Sequence, residues 1–207
     1  MTMLNFFKTN LSSADAAQFL IKLAYEVIQK RQGDFDELIC VYKENISVQT
    51  KLRCDWELFY IVNTLVYLMA SINFKYTKNP EIMGQYLSIC NNILHYERTQ
   101  KDGDYAFSQF ELRIQAYRLA WINKDMNVLT GVRSVLQSTV SEILKTGDLN
   151  MADDFIIEFI NDPNIINNER FQLVHKLPSL IAGPMCLTII TSIDEALNSF
   201  SNQVKIR

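Results

Sequence analysis

DWELFYIVNTLVYLMASINFKYTKNPE, residues 55–81, carries no charged side chain between Glu57 and Lys75 and stops at Asn79-Pro80-Glu81. Three readings compete for it: a membrane anchor, the wall of a pocket, or the centre of a fold. A bilayer-spanning helix needs about twenty predominantly apolar residues, and Asn63, Thr64, Ser71 and Asn73 interrupt this run. It is too short and too spotted with polar groups to be an anchor. A helix apolar nearly all round is one surrounded by other helices. The stretch is therefore expected to form the central helix of an α-helical core.

Start and stop signals on either side divide the rest of the chain into helices. Ser12 to Asp15 offers a capping box, and Phe19, Leu20, Leu23, Tyr25, Val27 and Ile28 follow at helical spacing until Gly33, predicting a helix over 13–32. Asp34 and Glu37 open a short second one over Leu38, Ile39, Val41 and Tyr42, and Ser47 caps the third, which ends near Lys75. Asn79-Pro80-Glu81 is the sharpest boundary, because proline at a first helical position has no N–H to waste there. The fourth helix continues to His95, where QKDGD breaks it. A fifth begins at Asp104, a sixth runs from Val128 to Gly147, and a seventh holds Phe155 to Ile160. Asp162-Pro163 starts a short turn with Phe171, Leu173 and Val174 behind it; Pro178 and Gly183-Pro184 then break the chain before a last helix at 185–201. These signals predict an all-α protein of eight or nine helices, in a single domain over 1–207, built as a helical bundle or a short stack of antiparallel α-hairpins.

Composition agrees and excludes several classes. A chain of 207 residues can bury roughly 70% of its unfolded surface in one core, so it needs no staples. Six glycines and four prolines are too few for a fold of many short strands. The net charge of −3 provides no overall field to gather nucleic acid. Four scattered cysteines, without a Cys-x-x-Cys pair, read as reduced thiols. The start, MTMLNFFKTNLSSADAAQ, has no basic leader region. A cytoplasmic location is expected.

Displacing the chain by fifty residues puts Tyr60 on Phe110, Val62 on Leu112, Tyr67 on Tyr117, Ala70 on Ala120, Ile72 on Ile122 and Asn73 on Asn123. A duplication at 55–100 and 105–147 follows from this alignment. It resembles a pair of stacked helical hairpins of the tetratricopeptide or a related type, although the usual period near 34 residues and the signature glycine are missing. The alternative is an irregular bundle.

The search for chemistry is mostly negative. Two histidines, His95 and His175, cannot assemble a His-rich metal site, and each reads as a cap or surface residue. Asp153, Asp154 and Glu158 cluster on one helix, where acids of a first turn favour the dipole. There is no phosphate loop and no nucleophile elbow. Neither a metal, a cofactor nor a catalytic set is expected, and the balance leans away from an enzyme. Arg113, Tyr117, Arg118 and Trp121 combine on one helix the residue types enriched at interface hot spots. They suggest a module that binds another protein through a groove or face between helices: an adaptor, complex subunit, chaperone or inhibitor. A second reading is a small-molecule binder or enzyme whose methionines and aromatics line an apolar pocket. A third is a nucleic-acid-associated subunit, which requires Lys51, Arg53, Lys75, Lys78, Arg113 and Arg118 to converge on one face.

Overall fold

The computed structural model describes residues 9–73, 79–97, 100–122, 127–146, 149–167 and 178–206. Seven α-helices occur among them: α1 (Ser13–Tyr42), α2 (Val48–Asn73), α3 (Asn79–Glu97), α4 (Gln100–Ile122), α5 (Val128–Thr146), α6 (Leu149–Asn161) and α7 (Pro178–Gln203). The class is all-α, as expected, with two helices joined where the sequence placed a break. The expected Phe171, Leu173 and Val174 segment and His175 lie outside the described residues.

Capping chemistry sets several starts. The Ser12 hydroxyl accepts from the Asp15 amide at 3.1 Å, and the Asp15 carboxylate accepts from the Ser12 amide at 3.2 Å, the reciprocal capping box. Hydrogen bonds from Ser12 hold the Asp15 carboxyl below its ordinary pKa. Ser47 opens α2 the same way, accepting from the Thr50 amide at 3.0 Å. Asn79 does something the sequence did not suggest: its Nδ2 donates to the Ser71 carbonyl at 2.8 Å and ties the start of α3 to the end of α2.

The expected stop at Gly33 does not occur, and the first two predicted helices are one 30-residue helix. A glycine inside a helix is unfavourable by about 1 kcal/mol relative to alanine, whereas Leu20, Leu23 and Val27 before it and Phe35, Leu38 and Ile39 after it are all buried. Packing on both sides outweighs one residue's backbone entropy. The same logic carries α7 through Pro184. Pro178 occupies the first helical position, and Ala182, Met185, Cys186, Ile189, Ile193 and Leu197 bury a face that spans the interior proline. Helix α4 begins at Gln100, so QKDGD forms its first turns rather than a break.

Helix α2 is in contact with α1, α3, α4, α5 and α7, the surrounded position its sequence implied. Helix α5 is enclosed as well, although it is rich in hydroxyls: Ser134, Gln137, Ser138, Thr139 and Ser141 are buried along with its apolar residues. Three of those side chains, Gln137, Ser138 and Thr139, are satisfied within the helix and by its neighbour. Ser138 Oγ donates to the Ser134 carbonyl at 2.9 Å, Thr139 Oγ1 to that of Val135 at 3.0 Å, and Gln137 Nε2 to Ser179 Oγ on α7 at 3.2 Å. A short hydroxyl that returns its hydrogen to its own backbone can be buried almost as an apolar group.

One polar clasp joins α1 to α2. Lys51 Nζ lies 2.7 Å from Asp36 and 3.0 Å from Asp55, and Gln32 Nε2 donates to the same two carboxylates. Partial burial opposes the Lys51 charge, but the two acids outweigh it and raise its pKa. At the ends of the described chain, Thr9–Leu11 and Val204–Ile206 form a three-residue parallel ladder. Beside it the rings of Phe19 and Phe200 stack with centroids 4.0 Å apart.

Among the described residues, Pro178–Ser201 is long and apolar enough to cross a membrane by length and composition. Its inner face belongs to the common core.

Candidate functional site

The apolar residues of α1 come in adjacent pairs: Leu20-Ile21, Ala24-Tyr25, Val27-Ile28. Such doublets make an apolar arc wider than one packed stripe. Leu20, Leu23, Ala24 and Val27 face the core, while Ile21 and Ile28 are half-buried and Tyr25 is 60% exposed. The outer half of that arc forms one wall of an open groove of about 530 Å³. Helix α1 contributes Gln18, Ile21, Lys22, Ala24, Tyr25 and Ile28; α2 contributes Trp56, Phe59 and Asn63; α3 contributes Ile89 and Ile93.

The floor is fixed in place. Asn63 Oδ1 accepts from the Tyr86 hydroxyl at 2.7 Å and from the Cys90 thiol at 3.7 Å, and its Nδ2 donates to the Phe59 carbonyl at 2.9 Å. Burial pushes the Cys90 thiol up to about 12 and the Tyr86 phenol well above its ordinary range, so both stay protonated donors. Trp56 meets Phe59 edge to face at 5.4 Å between centroids. Aromatic pairs in this geometry hold each other in orientation, so the groove is preformed.

The four residues expected to bind a partner are divided by the structure. Arg113 and Tyr117 are both 0% exposed, which removes them from direct contact with any partner. Arg113 Nη1 donates to the Gln109 carbonyl one turn earlier on its own helix at 3.5 Å, but its acid is not Glu111. It reaches Glu57 on α2, itself 0% exposed, with Nε 3.1 Å from Oε1 and 3.3 Å from Oε2 and a further bond from Nη2 to Oε1. Its guanidinium also lies over the Tyr60 ring, 5.2 Å from the centroid. Burial and then the neighbouring Glu57 charge push the Tyr117 phenol well above its ordinary range. Arg118 is exposed and Trp121 half-buried. The set therefore forms no single surface.

Other sequence candidates are also placed. Arg113 is buried and Lys51 is held between two acids, so the cationic face proposed for nucleic acid does not assemble from them; Lys75 and Lys78 lie outside the described residues. No methionine lines the groove, and Met69, Met83 and Met185 are core residues. Asp154 and Glu158 are exposed. Among the described residues no group of three or more His, Cys, Asp or Glu is placed to hold a metal ion. His95 Nδ1 lies 2.9 Å from the Asn91 carbonyl, one turn earlier on α3. Comparison with family models, curated proteins and solved structures gives no match.

Proposed function

We propose that this is a non-enzymatic helical module that binds another protein, and that the groove between α1, α2 and α3 is where it does so. The observation that carries the reading is an open, preformed, almost wholly apolar depression with Trp56 and Phe59 in it. Exposed apolar surface of this kind marks interaction sites on soluble proteins, and aromatic anchors dominate binding energy at such sites. An adaptor, complex subunit, chaperone or inhibitor would each use it. The small-molecule reading is weaker, because ligand pockets enclose most of their occupant and bring several convergent polar groups to it. This groove is open and has few.

The same reading takes the helices as one bundle rather than a stack of α-hairpins. In a stack each unit touches only its neighbours, whereas α2 touches five other helices. The fifty-residue correspondence persists in part: Ala70 and Ala120 are buried, Ile72 and Ile122 exposed, and the rings of Tyr60 and Phe110 stack 6.0 Å apart. A duplication absorbed into a bundle accommodates both facts. Four free cysteines suit a reducing, cytoplasmic setting.

The test is site-specific photo-crosslinking in the native cell, with a benzophenone residue at position 25 or at position 118. Crosslinks to one defined protein from position 25, lost on Phe59→Asp, support the groove. Crosslinks from position 118 alone place the binding surface on α4 and reject it.

A further inference from the structure

The groove does not end where its walls do. Val48 and Leu52 are 80% and 56% exposed, and with Trp56, Phe59 and Asn63 they recur at spacings of four, four, three and four residues along α2. That is one helix face. Its apolar part, Val48 to Phe59, runs about 17 Å at 1.5 Å per residue, longer than a compact small molecule and close to the length of a three-turn helix. An elongated apolar occupant would cover Val48 and the exposed part of Leu52.

Charge adds a direction. Lys22 is the single charged residue among those lining the groove, and it has no ion-pair partner among the described residues. Glu26, one turn further along α1, is exposed and outside the lining. The groove is locally positive in a chain whose net charge is −3. An apolar floor with one cation on its rim complements an amphipathic helix whose polar edge carries an acid at that point.

We infer, resting on the proposed function, that the occupant is an amphipathic α-helix of about three turns from a partner protein. Its apolar face lies along the α2 stripe and a carboxylate on its edge meets Lys22.

The experiment uses the full chain and a panel of hydrocarbon-stapled helical 15-mers that vary Leu, Ile and Phe at the anchor positions. Each peptide is made with glutamate or with lysine at the edge position, and binding is read by fluorescence anisotropy. The glutamate version is expected to bind wild type about five- to tenfold more tightly than the lysine version, since an exposed attraction is exchanged for a repulsion. Lys22→Glu should reverse that order, and 0.5 M salt should compress it. Equal binding of both versions, unchanged by Lys22→Glu but abolished by Phe59→Asp, overturns the charge complement and leaves the groove reading standing. Failure of the whole panel to bind, with dodecanoate binding instead, overturns both in favour of a small amphipathic anion. Failure of panel and dodecanoate alike also overturns both.

Discussion

Neighbouring residues of α2 meet opposite surroundings. Trp56 and Phe59 point into an open groove, while Glu57 and Tyr60, one position on from each, are wholly enclosed with Arg113 and Gln109 of α4. The polarity is inverted: the ion pair is sealed and the apolar surface is open. A buried ion pair is weak evidence for net stability, because desolvation offsets the attraction, but once made it admits little rearrangement. An open apolar face adds less to folding and leaves burial that the proposed partner would complete. On the proposed reading, one side of α2 gives specificity of packing and the other would give recognition.

The strongest way to break the sealed side is alkali. Burial raises the thiols of Cys54, Cys90 and Cys186 from 9.0 to about 12. Above pH 9 the unfolded chain loses protons that the folded chain retains, so stability, complete below that pH, falls as pH rises toward 12. Each unit in this window removes about 1.4 kcal/mol per thiol. Urea midpoints measured from pH 8 to 11 should fall continuously, and replacing the three cysteines with alanine should flatten the fall below pH 10, above which the buried phenols of Tyr42, Tyr86 and Tyr117 still contribute.

Glu57→Ala comes next, with an expected loss of about 3–5 kcal/mol from an uncompensated buried Arg113. Glu57→Leu combined with Arg113→Met should recover most of it. A double variant as unstable as the single would show that the enclosed side depends on the ion pair itself and not on filled space.

On the open side Tyr25→Asp should change the urea midpoint by no more than about 0.5 kcal/mol equivalent, while weakening peptide or partner binding at least tenfold. Equal losses of stability and binding would erase the distinction between the faces. The smallest effect is expected at Gly33→Ala, a stabilisation of about 0.5–1 kcal/mol, since a Cβ there meets nothing within 4 Å.

The sequence made the helical class and the central helix legible because both rest on local signals. An uncharged run between Glu57 and Lys75 points to a surrounded helix, and the capping box at Ser12 is complete within four residues. Breaks at Gly33 and Pro184 were misread because their outcome depends on burial either side of them, which is a tertiary quantity. The burial of two members of the interface set was hidden for a similar reason. Arg113 and Tyr117 share helix and chemistry with exposed hot spots, and nothing nearby announces that Glu57, fifty-six positions away, will close over Arg113. The groove did leave a mark, in the apolar doublets of α1 and the four-residue stripe from Val48, but an excess of apolar residues on a helix is read by habit as more core.

The two tryptophans stand one on each candidate surface, Trp56 in the groove and Trp121 on α4. Trp121→Phe and Trp56→Phe therefore give two proteins with one reporter each, to be titrated with a stapled helix whose binding to both is verified by anisotropy. The groove reading requires the emission of Trp56 to shift to shorter wavelength as the peptide saturates, with Trp121 unmoved. A shift of Trp121 with Trp56 silent would place recognition on α4 and contradict it.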